Sequence, residues 1–395
     1  MTTTSATTTT PAITLESKLP NVGTTIFTVM SALATQHNAV NLGQGFPDFE
    51  GDHRLHQAVA NAMFDGHNQY PPMAGLATLR SAIASKVSAL YAHHIDAEQV
   101  TVTAGATQAL LTAMLAVVNA GDEVIVLEPC YDCYIPAIEL CGATAVRVAL
   151  TPGSMQPDFA TIAAAMTPRT RALVINSPHN PSGTVWCEAD MLALQDLLRG
   201  TNIILISDEV YEHMVFDGQA HQSALRYPEL AQRSFVVSSF GKTYHVTGWK
   251  IGYVVAPPAL MAEFRKVHQF NVFTVNTPMQ HGLASFMQHT EAYTDLPAFY
   301  QAKRDRFRAG LANTNFKLAP CSGTYFQCVD IDGLKVAERD LSEAEFCKWL
   351  TAEVGVAAVP LSAFYADGFD QRRIRFCFAK QDATLDLALQ RLATL

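Results

Sequence analysis

Residues 235–253 read FVVSSFGKTYHVTGWKIGY and contain two lysines, eight positions apart. Residues 235–237 are apolar and are followed by small polar residues, a pattern typical of a buried strand that ends in a loop. Serine, threonine and glycine surround Lys242, and Lys250 follows at the far end of the loop. The stretch therefore predicts a strand that brings one amine to a ligand site, with hydroxyl groups and a second cation nearby.

Two functional interpretations of Lys242 compete with the simple one, an exposed loop lysine. The first is a phosphate-binding loop, because Gly241-Lys242-Thr243 matches the end of G-x-x-x-x-G-K-[ST]. That motif also requires glycine at position 236, where this chain has valine, so the spacing excludes it. The second is a lysine that binds pyridoxal phosphate as a Schiff base, with Ser239 and Lys250 on the phosphate.

The composition of the chain narrows the functional classes. With 395 residues, the chain can form a large core and a smaller second unit. The net charge of -9 and the lack of a long basic run argue against a nucleic-acid partner. No apolar run approaches the length of a membrane-spanning helix, and residues 1–10 lack the apolar segment of a secretory signal. We therefore expect a cytoplasmic protein with reduced thiols and no membrane partner.

The cysteine and histidine patterns give little support for a metal. Eight cysteines are present, and Cys130-Tyr131-Asp132-Cys133 matches C-x-x-C, but no second pair follows at zinc-ribbon spacing. The thirteen histidines include no H-E-x-x-H motif. No metal site is predicted.

Strands and helices alternate along most of the chain. One helix is predicted over 76–91, and a second follows residues 104–107 and ends at 118. Apolar strands are predicted at 99–103, 123–127, 144–149, 172–175, 203–206 and 235–237. This order predicts an α/β fold with a mostly parallel sheet covered by helices. Polar segments follow three of the strands, at 176–183, 207–211 and 238–243. We therefore expect a ligand site at the carboxyl edge of the sheet.

The pattern changes near residue 291. Helices are predicted over 300–311, 342–354 and 382–392, and strands over 323–329 and 374–378. With a helix over 24–35, these elements predict a small α+β domain of residues 15–44 and 291–395 beside a large domain of residues 45–290. Residues 1–14 are rich in threonine, serine and alanine and are expected to be disordered.

Together these segments resemble the class I aminotransferases of pyridoxal-phosphate fold type I, and within them the methionine and kynurenine aminotransferases. The resemblance extends from about residue 15 to the C-terminus. It rests on NSPHNPSG at 176–183, DEVY at 208–211, the segment 239–252, IRF at 374–376, and NLGQGFPDF at 41–49 with YDCY at 131–134. It implies the PLP-transferase fold, pyridoxal 5'-phosphate as cofactor and a homodimer with composite active sites.

The resemblance assigns Lys242, Asp208 and Tyr211 to catalysis. Lys242 would hold the cofactor as a Schiff base and then move the substrate proton. Asp208 would pair with the pyridine nitrogen and keep it protonated, so that the ring accepts electrons, although a helix cap is the alternative for this residue. Asn180 and Tyr211 would bind the phenolic oxygen, and Tyr131 would stack on the ring.

Other residues would bind the cofactor phosphate or the substrate. The phosphate ligands that the resemblance implies are Gly105, Ala106, Thr107, Ser239, Lys250 and Tyr70 of the partner subunit. Arg375 would clamp the substrate carboxylate by a two-point contact that lysine cannot make. Gly45, Phe46, Asn180 and Phe273 would contact the rest of the substrate, with core packing as the alternative for the two phenylalanines.

Two positions depart from the common aminotransferase pattern. Lys250 stands where many members have arginine, and Tyr131 where many have phenylalanine or tryptophan; both changes preserve the expected chemistry. The segments 41–49 and 270–277 contain no arginine or lysine. We therefore expect transamination of a large uncharged amino acid, methionine first, then aromatic amino acids, histidine, leucine or kynurenine, with a 2-oxo acid acceptor. A cysteine-conjugate β-lyase and a non-catalytic sensor module are the alternatives.

Overall fold

The computed structural model describes residues 14–395. The tract expected to be disordered, residues 1–14, lies outside the described residues except for its last position. The strands in this part of the chain form three sheets. Their bounds are β1 Val40–Asn41, β2 Val100–Thr103, β3 Glu123–Glu128, β4 Thr144–Ala149, β5 Thr170–Asn176, β6 Ile204–Asp208, β7 Ser234–Ser239, β8 Gly252–Val255, β9 Lys317–Leu318, β10 Phe326–Asp330, β11 Val356–Ala357, β12 Val359–Pro360 and β13 Arg373–Cys377.

Helices cover the sheets and connect the strands. The α-helices in residues 14–395 are α1 Ile26–Gln36, α2 His53–Phe64, α3 Ala77–Tyr91, α4 Ala106–Val117, α5 Tyr134–Leu140, α6 Phe159–Ala165, α7 Glu188–Leu198, α8 Pro228–Ala231, α9 Phe240–Thr243, α10 Pro258–Asn271, α11 Thr277–Phe286, α12 Glu291–Thr294, α13 Leu296–Leu311, α14 Glu343–Trp349 and α15 Asp382–Leu392. None of the helices in this part of the chain has both the length and the apolarity that crossing a bilayer requires.

The largest sheet has seven strands in the order β2-β8-β7-β6-β5-β3-β4. Neighbouring strands from β7 through β4 pair in parallel, and β8 alone runs against the others. Side chains alternate between the two faces of a strand, and Ile125 and Leu127 pack in one apolar cluster while Val124 and Val126 pack in another. Helices therefore bury both faces, which confirms the mostly parallel α/β fold.

The parallel strands bring their carboxyl ends to one edge of this sheet. Strand β6 ends at Asp208, β7 ends at Ser239 and leads directly into α9, and β5 ends at Asn176. Strand β2 runs in the same direction as β7 because each pairs antiparallel with β8. The turns that follow β2, β3, β5, β6 and β7 consequently share one edge, where the sequence predicts the ligand site.

The remaining strands form two smaller sheets. Strands β12, β13, β10 and β9 make a four-stranded antiparallel sheet, and β1 pairs in parallel with β11. The seven-stranded sheet uses strands from residues 100–255, whereas the smaller sheets use residues 40–41 and 317–377. The division into domains at residues 45 and 291 stays a prediction.

Several element boundaries differ from those expected. Helix α13 begins at Leu296 and not at residue 300, because a proline in its first turn suits the start of a helix. Strand β10 begins at Phe326 and not at residue 323. Thr324 has a φ of +64°, and a Cβ on Gly323 would lie 2.6 Å from the Val185 side chain, so the chain turns there before it extends.

Other helices differ more. The helix expected over 342–354 is α-helical only to Trp349, continues as a π-helical turn over Leu350–Val354, and ends at Gly355 with a φ of +80°. Helices α2, α10 and α11 were not predicted. Helix α2 packs against α11, and α10 packs against α4. Packing against neighbours, and not the local pattern alone, stabilises these three helices.

Candidate active site

A cavity of about 280 Å³ opens at the carboxyl edge of the seven-stranded sheet. Its wall comes from the turns after β2, β3, β5, β6 and β7 and from the smaller sheet. Thirteen of the residues expected at the site line it: Gly45, Phe46, Gly105, Ala106, Thr107, Tyr131, Asn180, Asp208, Tyr211, Ser239, Lys242, Lys250 and Arg375. The structure thus brings together segments more than 300 residues apart in the chain.

Lys242 projects into this cavity from α9, a one-turn helix that begins immediately after β7. Its Nζ donates hydrogen bonds to the Tyr325 hydroxyl at 2.8 Å and to the Gly45 carbonyl at 3.2 Å. Burial lowers the pKa of Lys242 to about 8, and the nearby Arg375 guanidinium contributes in the same direction. A large fraction of this amine is therefore neutral near pH 8, as a nucleophile or a base requires.

Asp208 is the last residue of β6 and is almost fully buried. Its Oδ2 accepts a hydrogen bond from the Tyr134 hydroxyl at 2.6 Å, and its Oδ1 accepts one from the Val210 N–H at 3.3 Å. Burial raises the pKa of Asp208 to about 6, and the hydrogen bond from Tyr134 opposes that rise. The carboxylate is therefore ionised at neutral pH and faces the cavity.

A buried ion pair holds the turn after β6 in place. Glu212 pairs with Lys86 of α3 at 2.9 Å and accepts hydrogen bonds from the Tyr91 and Tyr253 hydroxyls. Burial alone would raise the pKa of Glu212, but the Lys86 ammonium and the other donors hold it below its usual range. These contacts link the turn that carries Asp208 to α3 and to β8.

The turn between β2 and α4 has the features of an anion site. Gly105 has a φ of +80°, and a Cβ there would lie 3.4 Å from Nζ of Lys250. Helix α4 begins at Ala106, and Ala106 and Thr107 line the cavity. No side chain caps this helix, so its first N–H groups have no capping partner. The helix dipole, Lys250 and the Ser239 hydroxyl together favour a phosphate.

Arg375 lies on β13 at the opposite wall and is only 1% exposed. Its Nη1 donates to Oδ1 of Asn180 at 2.6 Å and its Nη2 donates to the Gly43 carbonyl at 3.1 Å. Its Nε is buried and has no hydrogen-bond partner in the described residues. The Phe326 ring centroid lies 3.9 Å from the guanidinium carbon. A buried guanidinium with an unpaired N–H suits a carboxylate ligand.

Two expected site residues lie outside this cavity. Tyr70 is 81% exposed and Phe273 is 46% exposed. Their rings pack edge to face with centroids 5.4 Å apart, at the chain surface. The Phe273 backbone has a φ of +67°. Neither residue can therefore contact a ligand held in the cavity of its own chain.

The sequence analysis missed four residues that shape the site. Phe27 and Phe326 line the cavity, Tyr325 binds the Lys242 amine, and Tyr134 binds Asp208. Phe27 lies within the helix predicted over 24–35. The spacing of Tyr131 and Tyr134, three residues apart, was the one available signal that both tyrosines share a side of the chain.

The C-x-x-C pair adjoins the site. Cys130 and Cys133 are free thiols, as are the other six cysteines. Burial raises the pKa of Cys130 to about 12 and also raises the pKa of Cys133. The thiolates that metal binding or redox exchange require are therefore disfavoured. No cluster of metal-ligating side chains occurs within residues 14–395.

Comparisons with known proteins agree with this geometry. A family model described as aminotransferase class I and II matches residues 37–392. Methionine aminotransferase of Escherichia coli K12 is 51% identical over 382 residues, which cover 96% of this chain and 98% of that protein. A probable N-succinyldiaminopimelate aminotransferase of Mycobacterium tuberculosis is 40% identical, covering 96% of this chain and 98% of that protein.

A more distant relative and a solved structure are also described as amino-group transferases. Human kynurenine–oxoglutarate transaminase 1 is 36% identical, over 91% of this chain and 93% of that protein. The crystal structure of YbdL from Escherichia coli, described as having a methionine aminotransferase function, superimposes with a TM-score of 0.95. It is 50% identical and covers 97% of this chain and 100% of that structure.

Proposed function

The chain belongs to aminotransferase class I and II, and on that premise we propose that it transfers the amino group of a large, uncharged amino acid to a 2-oxo acid by means of pyridoxal 5'-phosphate. Transamination follows from the family, whereas the cofactor and the substrate class are proposals. The observation that supports them best is that the Lys242 amine, the Asp208 carboxylate, an anion-binding turn and the Arg375 guanidinium face one cavity.

The residues of the cavity fit pyridoxal phosphate. The phosphate would lie on the Gly105–Thr107 turn beside Ser239 and Lys250, where a side chain in place of Gly105 would fill the space against the Lys250 amine. Asp208 would pair with the ring nitrogen, and Asn180 and Tyr211 would bind the phenolic oxygen. Tyr131 would stack on the face of the ring. When bound, this cofactor supplies an aldehyde carbon that takes up amines and a protonated ring that accepts an electron pair.

Within this arrangement we assign Lys242 two tasks. Its neutral amine, favoured by burial, would hold the aldehyde carbon of the cofactor, and the freed amine would serve as the base for the proton on the substrate Cα. The Tyr325 hydroxyl and the Gly45 carbonyl orient the amine. Phe46 lies at the cavity wall and is 42% exposed, and Lys380 donates to its carbonyl at 2.8 Å. This contact holds the segment that closes one side of the cavity.

The substrate would bind at the Arg375 wall. The unpaired Nε of Arg375 would donate to the α-carboxylate, and the contact with Asn180 holds the guanidinium in place. The side chain would then lie against Phe27, Phe46 and Phe326, which line the cavity. The sulfur of methionine packs favourably against aromatic edges.

Within residues 14–395 of one chain, the cavity wall offers no spare cation for an acidic side chain. Among the described lining residues the cations are Lys242, Lys250 and Arg375, and each already has a task. Arg54 does not line the cavity; it pairs with Asp52 at 2.7 Å and with Glu291 at 3.0 Å. The relatives are named for methionine, kynurenine and N-succinyldiaminopimelate, and a direct comparison of amino acids tests the preference.

We predict that methionine converts the loaded enzyme to its amine form about a hundredfold faster than aspartate at equal concentration, because an unpaired buried charge costs several kcal/mol. The measurement is the single-turnover change in cofactor absorption after mixing enzyme with each amino acid. Leucine serves as an uncharged control and glutamate as a second acidic one. Faster conversion by aspartate than by methionine contradicts the proposed substrate class.

Mixing the loaded enzyme with a cysteine S-conjugate separates the remaining alternatives. Because the chain is an aminotransferase, the non-catalytic sensor is set aside. A β-lyase acting on cysteine conjugates would release pyruvate, whereas transamination releases the matching 2-oxo acid. We also propose a cytoplasmic location, since all eight cysteines are free thiols, as expected in a reducing compartment.

We propose that the enzyme is a homodimer with composite sites. Large apolar side chains are exposed in the same chain segments as Tyr70 and Phe273: Phe64 is 91% exposed, Phe270 is 86% exposed and Met63 is 46% exposed. Several large apolar side chains left exposed favour an interface between chains. A second copy would cover these side chains and would bring Tyr70 to the phosphate in its neighbour's cavity.

A mixing experiment tests this arrangement. Tyr70→Phe chains and Lys242→Ala chains, each impaired alone, should together recover up to about a quarter of wild-type activity, since random pairing leaves one intact site in half of the dimers. The matched control mixes Lys242→Ala with Asp208→Asn chains. Both of those changes affect a chain's own cavity, so no intact site forms. Recovery in the control, or none in the test, contradicts the composite site.

A further inference from the structure

Tyr134 lies behind the cavity wall and contacts Asp208. It is the first residue of α5, and its side chain is buried, with the residue 2% exposed. Its hydroxyl donates to Oδ2 of Asp208 at 2.6 Å, and this is the only hydrogen bond that the hydroxyl makes within residues 14–395. The Tyr131 ring, which does line the cavity, packs edge to face on the Tyr134 ring at 6.0 Å.

The two carboxylate oxygens of Asp208 accept hydrogen bonds of different kinds and lengths. Oδ2 accepts a short hydrogen bond from a hydroxyl, whereas Oδ1 accepts only the long one, 3.3 Å, from the Val210 N–H. A hydrogen bond to a charged acceptor is shorter and stronger than one between neutral groups. Oδ2 is therefore held firmly, and Oδ1 is left with capacity for another donor.

The electrostatic surroundings show why a neutral donor suits this position. The titratable groups around Asp208 are Tyr131 and Cys133 before α5, Tyr134 on it, Glu209 and Tyr211 in the turn after β6, and Lys242 on α9. Burial and the charge of Asp208 raise the pKa of Tyr134 well above its usual value, so its hydroxyl keeps its proton and remains a donor. A cation in its place would repel a protonated ring nitrogen held by the same carboxylate.

We propose that Tyr134 is a positioning residue for Asp208: its hydroxyl fixes one carboxylate oxygen, keeps the group ionised without adding charge, and leaves the other oxygen to the ring nitrogen of the cofactor. This inference rests on the proposed function. The simpler alternative is that Asp208 merely satisfies a buried tyrosine hydroxyl. In that case loss of the hydroxyl changes stability and leaves cofactor binding unchanged.

The substitution Tyr134→Phe removes the hydroxyl and keeps the ring. We expect the dissociation constant of pyridoxal phosphate, titrated into the cofactor-free protein, to rise about tenfold, the effect of losing one hydrogen bond to a charged group. Tyr227→Phe is the matched control. That tyrosine is also mostly buried and donates one hydrogen bond, to Gln222 at 2.8 Å, away from the cavity, so its affinity should equal that of the wild type.

A double-substitution cycle distinguishes positioning from packing. If Tyr134 acts through the Asp208 carboxylate, Tyr134→Phe should raise the dissociation constant less than about twofold in an Asp208→Asn background. An equal rise in both backgrounds, or unchanged affinity with a lower unfolding temperature, overturns the proposal. Failure of the wild-type protein to bind pyridoxal phosphate would instead overturn the proposed function.

Discussion

Replacing Lys242 with alanine is expected to lower the rate of transamination at least about a thousandfold, because on the proposed function the change removes both the amine that would bind the cofactor and the base that would move the substrate proton. The protein should still bind pyridoxal phosphate, since the Gly105 turn, Ser239 and Lys250 are untouched. Steady-state rates with methionine and equilibrium dialysis of the cofactor measure the two effects separately.

Lys266→Ala is the control for this substitution. Lys266 lies on α10, is exposed and pairs with Glu263 three residues away, so its loss should leave the rate and the affinity unchanged. Turnover by the Lys242→Ala protein near the wild-type rate would show that the central lysine has been misassigned.

Replacing Asp208 with asparagine should slow the half-reaction on the order of a hundredfold, because a neutral amide cannot stabilise the protonated ring of the cofactor. The same substitution should not lower the free energy of unfolding of the cofactor-free protein. The raised pKa of Asp208 means that the ionised form is disfavoured in the folded protein, so its ionisation costs stability as the pH rises through about 6. At pH 7 the variant avoids that cost.

Single-turnover rates and thermal unfolding of Asp208→Asn, with Asp122→Asn as control, test this account. Asp122 precedes β3 at the opposite edge of the sheet and accepts a hydrogen bond from the Asn119 N–H. If the half-reaction rate of Asp208→Asn equals that of the wild type, Asp208 serves as a cap and not as a cofactor partner.

The sequence predicted six of the seven strands of the large sheet, because those strands are short, apolar and regularly spaced, but it did not predict β8. Burial on both faces demands such strands, and their parallel order places the segments after β5, β6 and β7 at one edge. Lys242 and Asp208 could therefore be placed near each other from sequence. The resemblance added Arg375, whose strand lies in a different sheet, since no local pattern relates it to β6 or β7.

Contacts between distant segments were not predictable in the same way. The Tyr325 hydroxyl and the Gly45 carbonyl meet Lys242 only because β10 and the loop after β1 fold over the cavity. Phe27 follows a helical apolar pattern, which is equally typical of core packing. Helices α2 and α11 pack on each other, and that mutual burial is not visible in either segment alone.

The most direct test of the central claim is to locate the cofactor on the chain. Borohydride reduction converts a lysine-bound cofactor into a stable secondary amine, which survives digestion and can be mapped by mass spectrometry. The account predicts that wild-type protein loaded with pyridoxal phosphate carries one reduced cofactor per chain, on the peptide that contains Lys242. Labelling of Lys250 or another lysine in its place, or no labelling, would contradict it.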